Sequence, residues 1–138
     1  MWGCSMKQLK KLGIVILSLP IILVVILVLY EIFGICINHI TTKKQTNTLK
    51  INLENEISDI EIINIYSETG NTSGTGNHVD CLSSITFSTK MQETEIKNCM
   101  SEYYVFDEWS CYINKTDDGY YIICINTPAP FADNIEGH

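Results

Sequence analysis

Residues 12–30 read LGIVILSLPIILVVILVLY, nineteen consecutive positions without a charged side chain. At a helical rise of about 1.5 Å per residue, this stretch covers roughly the 30 Å hydrocarbon core of a bilayer. Apolar residues resume after Glu31, so we expect the span to extend over residues 12–37. A buried core helix is the competing interpretation, but a chain of 138 residues is too small to surround so uniformly apolar a segment. The stretch therefore predicts a single transmembrane helix whose partner is the lipid bilayer.

An uncleaved anchor fits this stretch better than a secretory signal peptide. Its hydrophobic length exceeds that of a typical signal, and no small-residue cleavage site follows it. A lipoprotein signal would place a small residue before the modified cysteine, whereas Cys36 follows Ile35. Pro20 lies in the middle of the span, where it removes one backbone hydrogen bond and predicts a kink that membrane helices tolerate.

Charge divides the chain into two unlike parts. Residues 1–45 contain five lysines against one glutamate, a net charge of +4, whereas residues 46–138 contain four lysines against fifteen carboxylates, a net charge of −11. An acidic surface is repelled by phosphate backbones and by anionic lipid head groups. We therefore expect no nucleic acid among the partners of this protein.

The distribution of lysines favours an orientation with the N-terminus inside the cell. Three lysines, at positions 7, 10 and 11, precede the span, and two, at positions 43 and 44, follow it. Because positive charge near a span tends to remain on the cytoplasmic side, residues 1–11 are predicted to be cytoplasmic. We expect a single-pass protein of the cell membrane, N-inside and C-outside, with an extracytoplasmic domain.

Residues 38–48, NHITTKKQTNT, are polar and predict a short linker. Beyond them, we expect residues 49–138 to form one small acidic domain. Alternation of apolar and polar residues predicts a first strand at 49–53 and a third at 79–88. The isoleucine-rich residues 57–66 predict a second strand, with a helix as the alternative, because three of the isoleucines also fit helical spacing.

One helix is predicted after the third strand. Thr89 and Gln92 have the spacing of a capping box. The residues that follow form an apolar stripe at helical intervals, made of Ile96, Cys99, Met100 and Tyr103. Two more strands are predicted at 105–113 and 120–125, joined by a turn at 116–119 and followed by an irregular tail. The pattern indicates an α+β fold, an antiparallel sheet packed by one helix.

Four of the six cysteines lie in the acidic part, an even number that suits disulfides in an oxidising exterior. A four-residue turn at 116–119 would place Cys111 opposite Cys124, within reach of a cross-strand disulfide. The remaining pair, Cys81 and Cys99, would then join the third strand to the helix. A two-residue turn would shift the register and remove this pairing, and the alternative is four small buried thiols.

Few residues have the spacing of a chemical site. The glycine-rich residues 69–78 lack the Lys-Ser/Thr of a phosphate-binding loop, so a flexible connection is expected there. His78 and Cys81 are close enough in sequence for a base and a nucleophile, but no third group is identifiable to orient them. The histidines are scattered and no metal-ligand spacing occurs. We therefore assign no catalytic, cofactor-binding or metal-binding residue.

Three stretches carry a resemblance to known proteins. The first is residues 66–78, which include the glycine-rich loop. The others are the segment Phe106-Asp107-Glu108-Trp109 and the closing residues 133–138. Together they resemble small uncharacterised single-pass membrane proteins and lipoproteins of Gram-positive bacteria, and the resemblance implies no activity. The leading hypothesis is a non-enzymatic module that binds a protein or an envelope component. The alternative is a small surface hydrolase or thiol enzyme that uses His78 and Cys81.

Overall fold

The computed structural model describes residues 3–74 and 76–138, and it confirms the α+β class. The described part contains two α-helices, a four-stranded antiparallel sheet and a short 3-10 helix. In chain order the elements are α1 (Gly3–Glu56), β1 (Glu61–Gly70), β2 (Asp80–Ser88), α2 (Glu93–Met100), β3 (Cys111–Lys115), β4 (Tyr121–Pro128) and the 3-10 helix (Ile135–Gly137). The chain divides between Phe33 and Gly34 into an N-terminal unit and a C-terminal unit, Gly34–His138.

The N-terminal unit is the first part of α1. From Ile14 to Phe33 its apolar side chains are exposed, and the helix runs on through Pro20. By length and composition this is one helix that is long and apolar enough to cross a membrane. The structure therefore bears out the apolar helix that residues 12–30 predict.

The predicted linker and the predicted first strand are wrong, because α1 remains helical to Glu56. Leu49 and Leu53, four residues apart, are fully buried, whereas Ile51 between them is 54% exposed. These three apolar residues therefore follow a helical period and not the period of two that they suggest in isolation.

The buried face of α1 was not recognisable in the sequence, because part of it is made of polar residues. One turn after another, α1 directs Asn38, Thr42 and Thr46 toward the interior before Leu49 and Leu53 continue the same face. The Thr46 hydroxyl lies 2.7 Å from Ser83 Oγ, and the Thr42 hydroxyl lies 2.6 Å from Thr69 Oγ1. Since these hydroxyls are satisfied across the interface, a stretch that reads as a polar linker forms part of the packed core.

The sheet has the strand order β1-β2-β4-β3, with every neighbouring pair antiparallel. Alternate residues of β2 are buried, which separates the sheet into two faces. We call the side that carries Ile85 and Phe87 the helix-covered face, and the side that carries Leu82 and Ser84 the open face. Both helices pack on the helix-covered face, where the main core consists of Leu49, Leu53, Ile57, Ile85, Phe87, Ile96, Met100, Cys111, Ile113, Tyr121, Ile123 and Ile125.

The helix predicted after the third strand is present as α2. It is shorter than the apolar stripe from Ile96 to Tyr103 that predicts it. Its capping box is formed by Gln92 and Glu95, with the Gln92 backbone N–H donating to Glu95 Oε2 at 2.8 Å. Thr89, the predicted cap, instead donates its hydroxyl to the Ser58 carbonyl at 2.8 Å. The helix ends at Met100, so Tyr103 lies outside it.

The β3–β4 connection sets a register that differs by one residue from the predicted register. Thr116 N–H donates to the Tyr120 carbonyl at 2.8 Å, which leaves three loop residues, the last of them Gly119 with a φ of 88°. A three-residue loop with glycine in the left-handed region is a common hairpin connection. In this register Cys111 faces Ile125, and Cys124 faces Tyr112.

The predicted Cys111–Cys124 disulfide is therefore wrong. Residues directly opposite each other share a face and neighbours along a strand do not, so Cys111 lies on the helix-covered face and Cys124 on the open face. All five cysteines whose side chains the structure describes carry free thiols: Cys36, Cys81, Cys99, Cys111 and Cys124. The predicted Cys81–Cys99 bridge is likewise not present. The alternative interpretation of buried thiols describes Cys81, Cys111 and Cys124, whereas Cys99 is partly exposed.

Candidate binding cleft

The glycine-rich connection between β1 and β2 is organised by the side chain of Asn71. Its Oδ1 accepts the Gly74 N–H at 3.1 Å, and its Nδ2 donates to the Gly76 carbonyl. Gly74 and Gly76 have φ values of 65° and 129°, which a side chain would disfavour. The loop predicted as a flexible connection is thus a hydrogen-bonded turn that places its later residues beside the sheet.

Three polar side chains meet where this loop enters β2. His78 Nε2 lies 3.0 Å from Asp80 Oδ1, and the Ser73 N–H donates to Asp80 Oδ2 at 3.2 Å. The Ser73 hydroxyl lies 3.4 Å from the same His78 nitrogen. The Asp80 side chain is only 5% exposed, so its carboxylate is held by the loop on one side and by the imidazole on the other.

The contacts among Ser73, His78 and Asp80 fit a structural role in holding the loop, and they do not have the geometry of a proton relay. In a serine–histidine–aspartate relay, the hydroxyl and the carboxylate use different nitrogens of the imidazole. Here Ser73 Oγ and Asp80 Oδ1 both lie near Nε2 of His78. The carboxylate therefore orients the histidine and the loop, and the hydroxyl is not placed for activation by a relay.

The structure does not bring His78 and Cys81 together as a base and a nucleophile. Cys81 points to the helix-covered face, where its Sγ donates to the Asn38 carbonyl at 3.9 Å. Burial raises the pKa of the Cys81 thiol, with the neighbouring Asp80 charge as a smaller cause in the same direction and a hydrogen bond with Thr42 acting against them. A buried thiol with a raised pKa stays protonated and is a poor nucleophile.

The C-terminal tail holds the other side of the loop and is more ordered than its prolines suggest. Val79 N–H donates to the Ala132 carbonyl at 2.7 Å, and Ala129 N–H donates to the Val79 carbonyl at 2.9 Å. Gly137 packs so closely on the backbone of His78 that an added Cβ would lie 2.7 Å from the His78 carbonyl carbon. The loop is thereby fixed between β2 and the tail.

A second rigid turn lies before β3, around Asp107. Its Oδ1 accepts the backbone N–H groups of Trp109 at 2.7 Å, of Cys111 at 3.3 Å and of Ser110. These backbone hydrogen bonds, from Ser110 first and Trp109 next, hold the pKa of Asp107 below its usual value. The turn presents the Trp109 side chain to solvent with 79% of its surface exposed.

The two turns border a cleft of about 960 Å³. The loop side contributes Thr72, Ser73, His78 and Asp80, and the opposite side contributes residues 106–110, including Trp109. Between them lie Leu82, Tyr112 and Asn126 of the open face. Thr72 Oγ1 donates to Asn126 Oδ1 at 2.9 Å, which ties the loop to the sheet at the cleft. The cleft therefore has apolar, aromatic and hydrogen-bonding groups on a fixed framework.

Metal ligation has no support among the side chains that the structure describes. They contain no group of three or more histidine, cysteine, aspartate or glutamate residues that is arranged to hold an ion. His39 pairs with Glu136 at 2.7 Å, far along the chain from the His78–Asp80 pair. Asp117 and Asp118 lie exposed in the β3–β4 turn.

Sequence reasoning identified part of this cleft. The glycine-rich loop, His78 and the segment Phe106-Asp107-Glu108-Trp109 stood out in the sequence, but Asp80 and Asn126 did not. The spacing Asp107-x-Trp109 is the signal that was available, because an aspartate often accepts the backbone N–H two residues later. Comparison of the chain with protein-family models, with curated proteins and with solved structures finds no match.

Proposed function

We propose that the protein is a single-pass membrane protein whose C-terminal unit binds a protein or an envelope component outside the cell. The anchor is supported by the long apolar helix, whose apolar side chains from Ile14 to Phe33 are exposed. Exposed apolar surface on this scale is stable in lipid and costly in water. The lysines before the span favour N-inside, so that the acidic part lies outside.

The observation that carries the binding function is the exposed Trp109 at the edge of a cleft, on a turn held by Asp107. Exposed tryptophans on rigid supports are typical of binding hot spots, because they bury a large apolar area at little cost in conformational entropy. Leu82 and Tyr112 extend the apolar surface into the cleft, and Asn126 adds amide groups. Because apolar and hydrogen-bonding side chains lie together in the cleft, it is suited to a ligand that has both apolar and polar groups.

The alternative, a hydrolase or thiol enzyme, has less support. The proposed nucleophile Cys81 contacts the Asn38 carbonyl in the interior, whereas His78 contacts Asp80 beside the cleft. The hydroxyl that does lie near His78 belongs to Ser73, and it shares one imidazole nitrogen with the carboxylate. Binding needs only the surface that is present, and so it remains our leading proposal.

The anchor and its orientation are tested by extraction and labelling of the full-length protein. We expect the protein to stay in the membrane fraction at alkaline pH in carbonate. Labelling is measured as the increase over wild type, because the native thiols, such as the exposed Cys36, set a background. Asp117→Cys, in the exposed β3–β4 turn, should add reaction with an impermeant maleimide in intact cells, whereas Lys11→Cys should add reaction only after permeabilisation. Release by carbonate contradicts the anchor, and the opposite labelling pattern contradicts the orientation.

Binding is tested by replacing Trp109 with a photo-cross-linking amino acid in intact cells, and by the same replacement at Tyr120 as a control. Both residues are exposed aromatics, but Tyr120 does not line the cleft. A defined cross-linked product from position 109, absent from position 120 and competed by added wild-type protein, is the expected result. Equal products from both positions, or none from position 109, contradict binding through the cleft.

A further inference from the structure

The two edges of the sheet differ in how much of their backbone is covered. Strand β1 is ten residues long, pairs on one side only, with β2, and is exposed over most of its length. Ile63 and Tyr66 are 47% and 48% exposed. An unpaired strand edge of this length offers backbone N–H and C=O groups to another extended chain.

The opposite edge, β3, is protected. Its first residue Cys111 accepts the Asp107 N–H at 2.8 Å and donates its own N–H to the Asp107 carboxylate, so the outer backbone groups there are occupied. The strand has only five residues and ends at Lys115, whose ammonium group lies 5.3 Å from the Tyr121 ring centroid. A short, capped edge that ends in a lysine discourages pairing, and β1 has none of these three protections.

The charged residues within β1 itself have one sign. The charged side chains of β1 are Glu61 and Glu68, and the strand carries no lysine. Glu68 Oε2 accepts a hydrogen bond from the Tyr66 hydroxyl, and a lysine near the strand, Lys90, lies 3.8 Å from the Asp59 carboxylate. Two β1 edges brought together would therefore repel each other, whereas a basic segment would be attracted.

We propose that β1 is a docking edge on which an extended basic segment of a partner protein adds as a fifth strand of the sheet. Backbone hydrogen bonds to β1 would supply affinity, and alternate side chains of the segment would lie on each face. Lysine or arginine side chains near the ends of β1 would meet Glu61 and Glu68. This surface is distinct from the cleft, so the inference does not depend on Trp109 or on the anchor.

The test uses the full-length protein in detergent micelles and a ten-residue peptide of alternating lysine and valine as the probe. We expect saturable binding by fluorescence anisotropy, weakening with added salt. We also expect slower hydrogen exchange of backbone amides within Glu61–Gly70 on binding. A peptide of the same sequence that is N-methylated at alternate residues should lose binding, because it cannot complete the strand pairing.

Charge variants show where the peptide binds. The double variant Glu61→Lys with Glu68→Lys should bind the probe about tenfold more weakly, the effect of two reversed surface ion pairs. The control, Glu102→Lys with Asp117→Lys, has the same net charge but changes exposed residues outside the β1 edge, and it should bind within about twofold of wild type.

Three results would overturn the proposal. Equal binding of the N-methylated peptide would show that attraction is by charge alone. Equal loss in both double variants would place the peptide elsewhere on the acidic surface. Protection of the β1 amides without peptide, increasing with protein concentration, would show that a second copy of the chain covers this edge. The exchange measurement is made on the wild-type protein and does not require the variants to fold.

Discussion

The helix-covered face and the open face of the sheet are built from the same four strands, yet they carry different chemistry. On β2, Ile85 and Phe87 are fully buried against the helices, while Ser84 and Thr86, which alternate with them on the open face, are only half-buried. The thiols show the same division, since Cys111 lies in the core and Cys124 donates to Ser84 Oγ at 3.3 Å on the open face. Alternate residues of one strand thus stabilise the fold or remain available to a ligand, and the predictions below separate these two roles.

The largest effect is expected from Leu53→Ala, on the helix that covers the sheet. Leu53 is fully buried in the main core. Its truncation should lower the free energy of unfolding by about 2–5 kcal/mol, because it removes buried apolar surface and leaves a cavity. The matched control is Ile51→Ala, two residues away on the exposed side of α1, which should change stability by less than about 1 kcal/mol.

Urea unfolding of the full-length protein in detergent micelles, followed by far-ultraviolet circular dichroism, measures both variants. Equal destabilisation by the two variants would contradict the assignment of α1 as the covering helix. It would instead favour the strand predicted for residues 49–53, in which the side chain of residue 51 shares a face with those of residues 49 and 53.

The next effect tests the polar part of the same interface. The Asn38 side chain is fully buried and makes two hydrogen bonds with Phe131, donating to its carbonyl and accepting its N–H, each at 3.0 Å. Asn38→Ala should cost about 1–3 kcal/mol, because buried hydrogen bonds are lost without replacement by water. Asn47→Ala, at an exposed position of α1, should lie within about 0.5 kcal/mol of wild type. If unfolding in urea shows no difference between them, the tail is not held by Asn38.

A smaller effect is expected at alkaline pH from Cys111 on the helix-covered face. Burial, with Asp107 next, raises the pKa of Cys111 to about 11, above the ordinary thiol value of 9.0. A raised pKa means that the neutral thiol stabilises the folded state below pH 9 and that this contribution is lost as the pH rises toward 11. Wild type should therefore lose about 1–2 kcal/mol more than Cys111→Ala between pH 9 and 11.

The measurement for Cys111 is urea unfolding of both proteins across that pH range. Other groups that titrate there are common to the two proteins, so their difference isolates the thiol. Identical pH dependence would show that Cys111 is exposed to solvent, and rapid alkylation of Cys111 in the folded protein at pH 8 would show the same.

The smallest effect on stability is expected at acid pH from the Asp107 turn beside the open face. Its pKa is lowered by hydrogen bonds from Ser110 and Trp109, so the ionised carboxylate contributes stability above the ordinary aspartate range. That contribution is lost as the pH falls through the folded-state pKa. Protection of the Trp109 and Ser110 amides from hydrogen exchange, expressed relative to the β2 amides so that the intrinsic slowing of exchange in acid cancels, should therefore fall on acidification in wild type and much less in Asp107→Asn. An equal loss of protection in both proteins would contradict the turn.

Several elements of the fold were predictable because their signals are local. Strand β2 lies within one residue of its prediction, since its alternation reflects a face that is buried and a face that is not. The α+β class and the β3–β4 turn are also confirmed. The predicted strand at 105–113 is correct only from Cys111, because Asp107 binds the backbone of the preceding residues in a turn.

Other elements were not predictable, because their polar residues find partners that are distant in sequence. The polar sequence around Gln45 and Thr46 predicts a solvated linker, yet the Thr46 hydroxyl contacts Ser83 Oγ, and Gln45 Nε2 donates to the Cys81 carbonyl at 2.9 Å. The register of the cysteines depended on a single residue of loop length, which no composition rule settles. For the cleft, the glycine-rich loop and Trp109 were both visible in the sequence, whereas their positions on either side of one cleft were not.

The sequence by itself determined the features that depend on neighbours along the chain. These are the long apolar helix, the excess of acid in residues 46–138, the alternation of β2 and the glycines of the first loop. The tertiary structure alone decided which polar residues of α1 are buried, which face of the sheet stays open, and that Cys111 and Cys124 lie on opposite faces. The physical reason is that a buried polar group is stable only when a distant partner satisfies it, and such a partner is brought near only when the chain has folded.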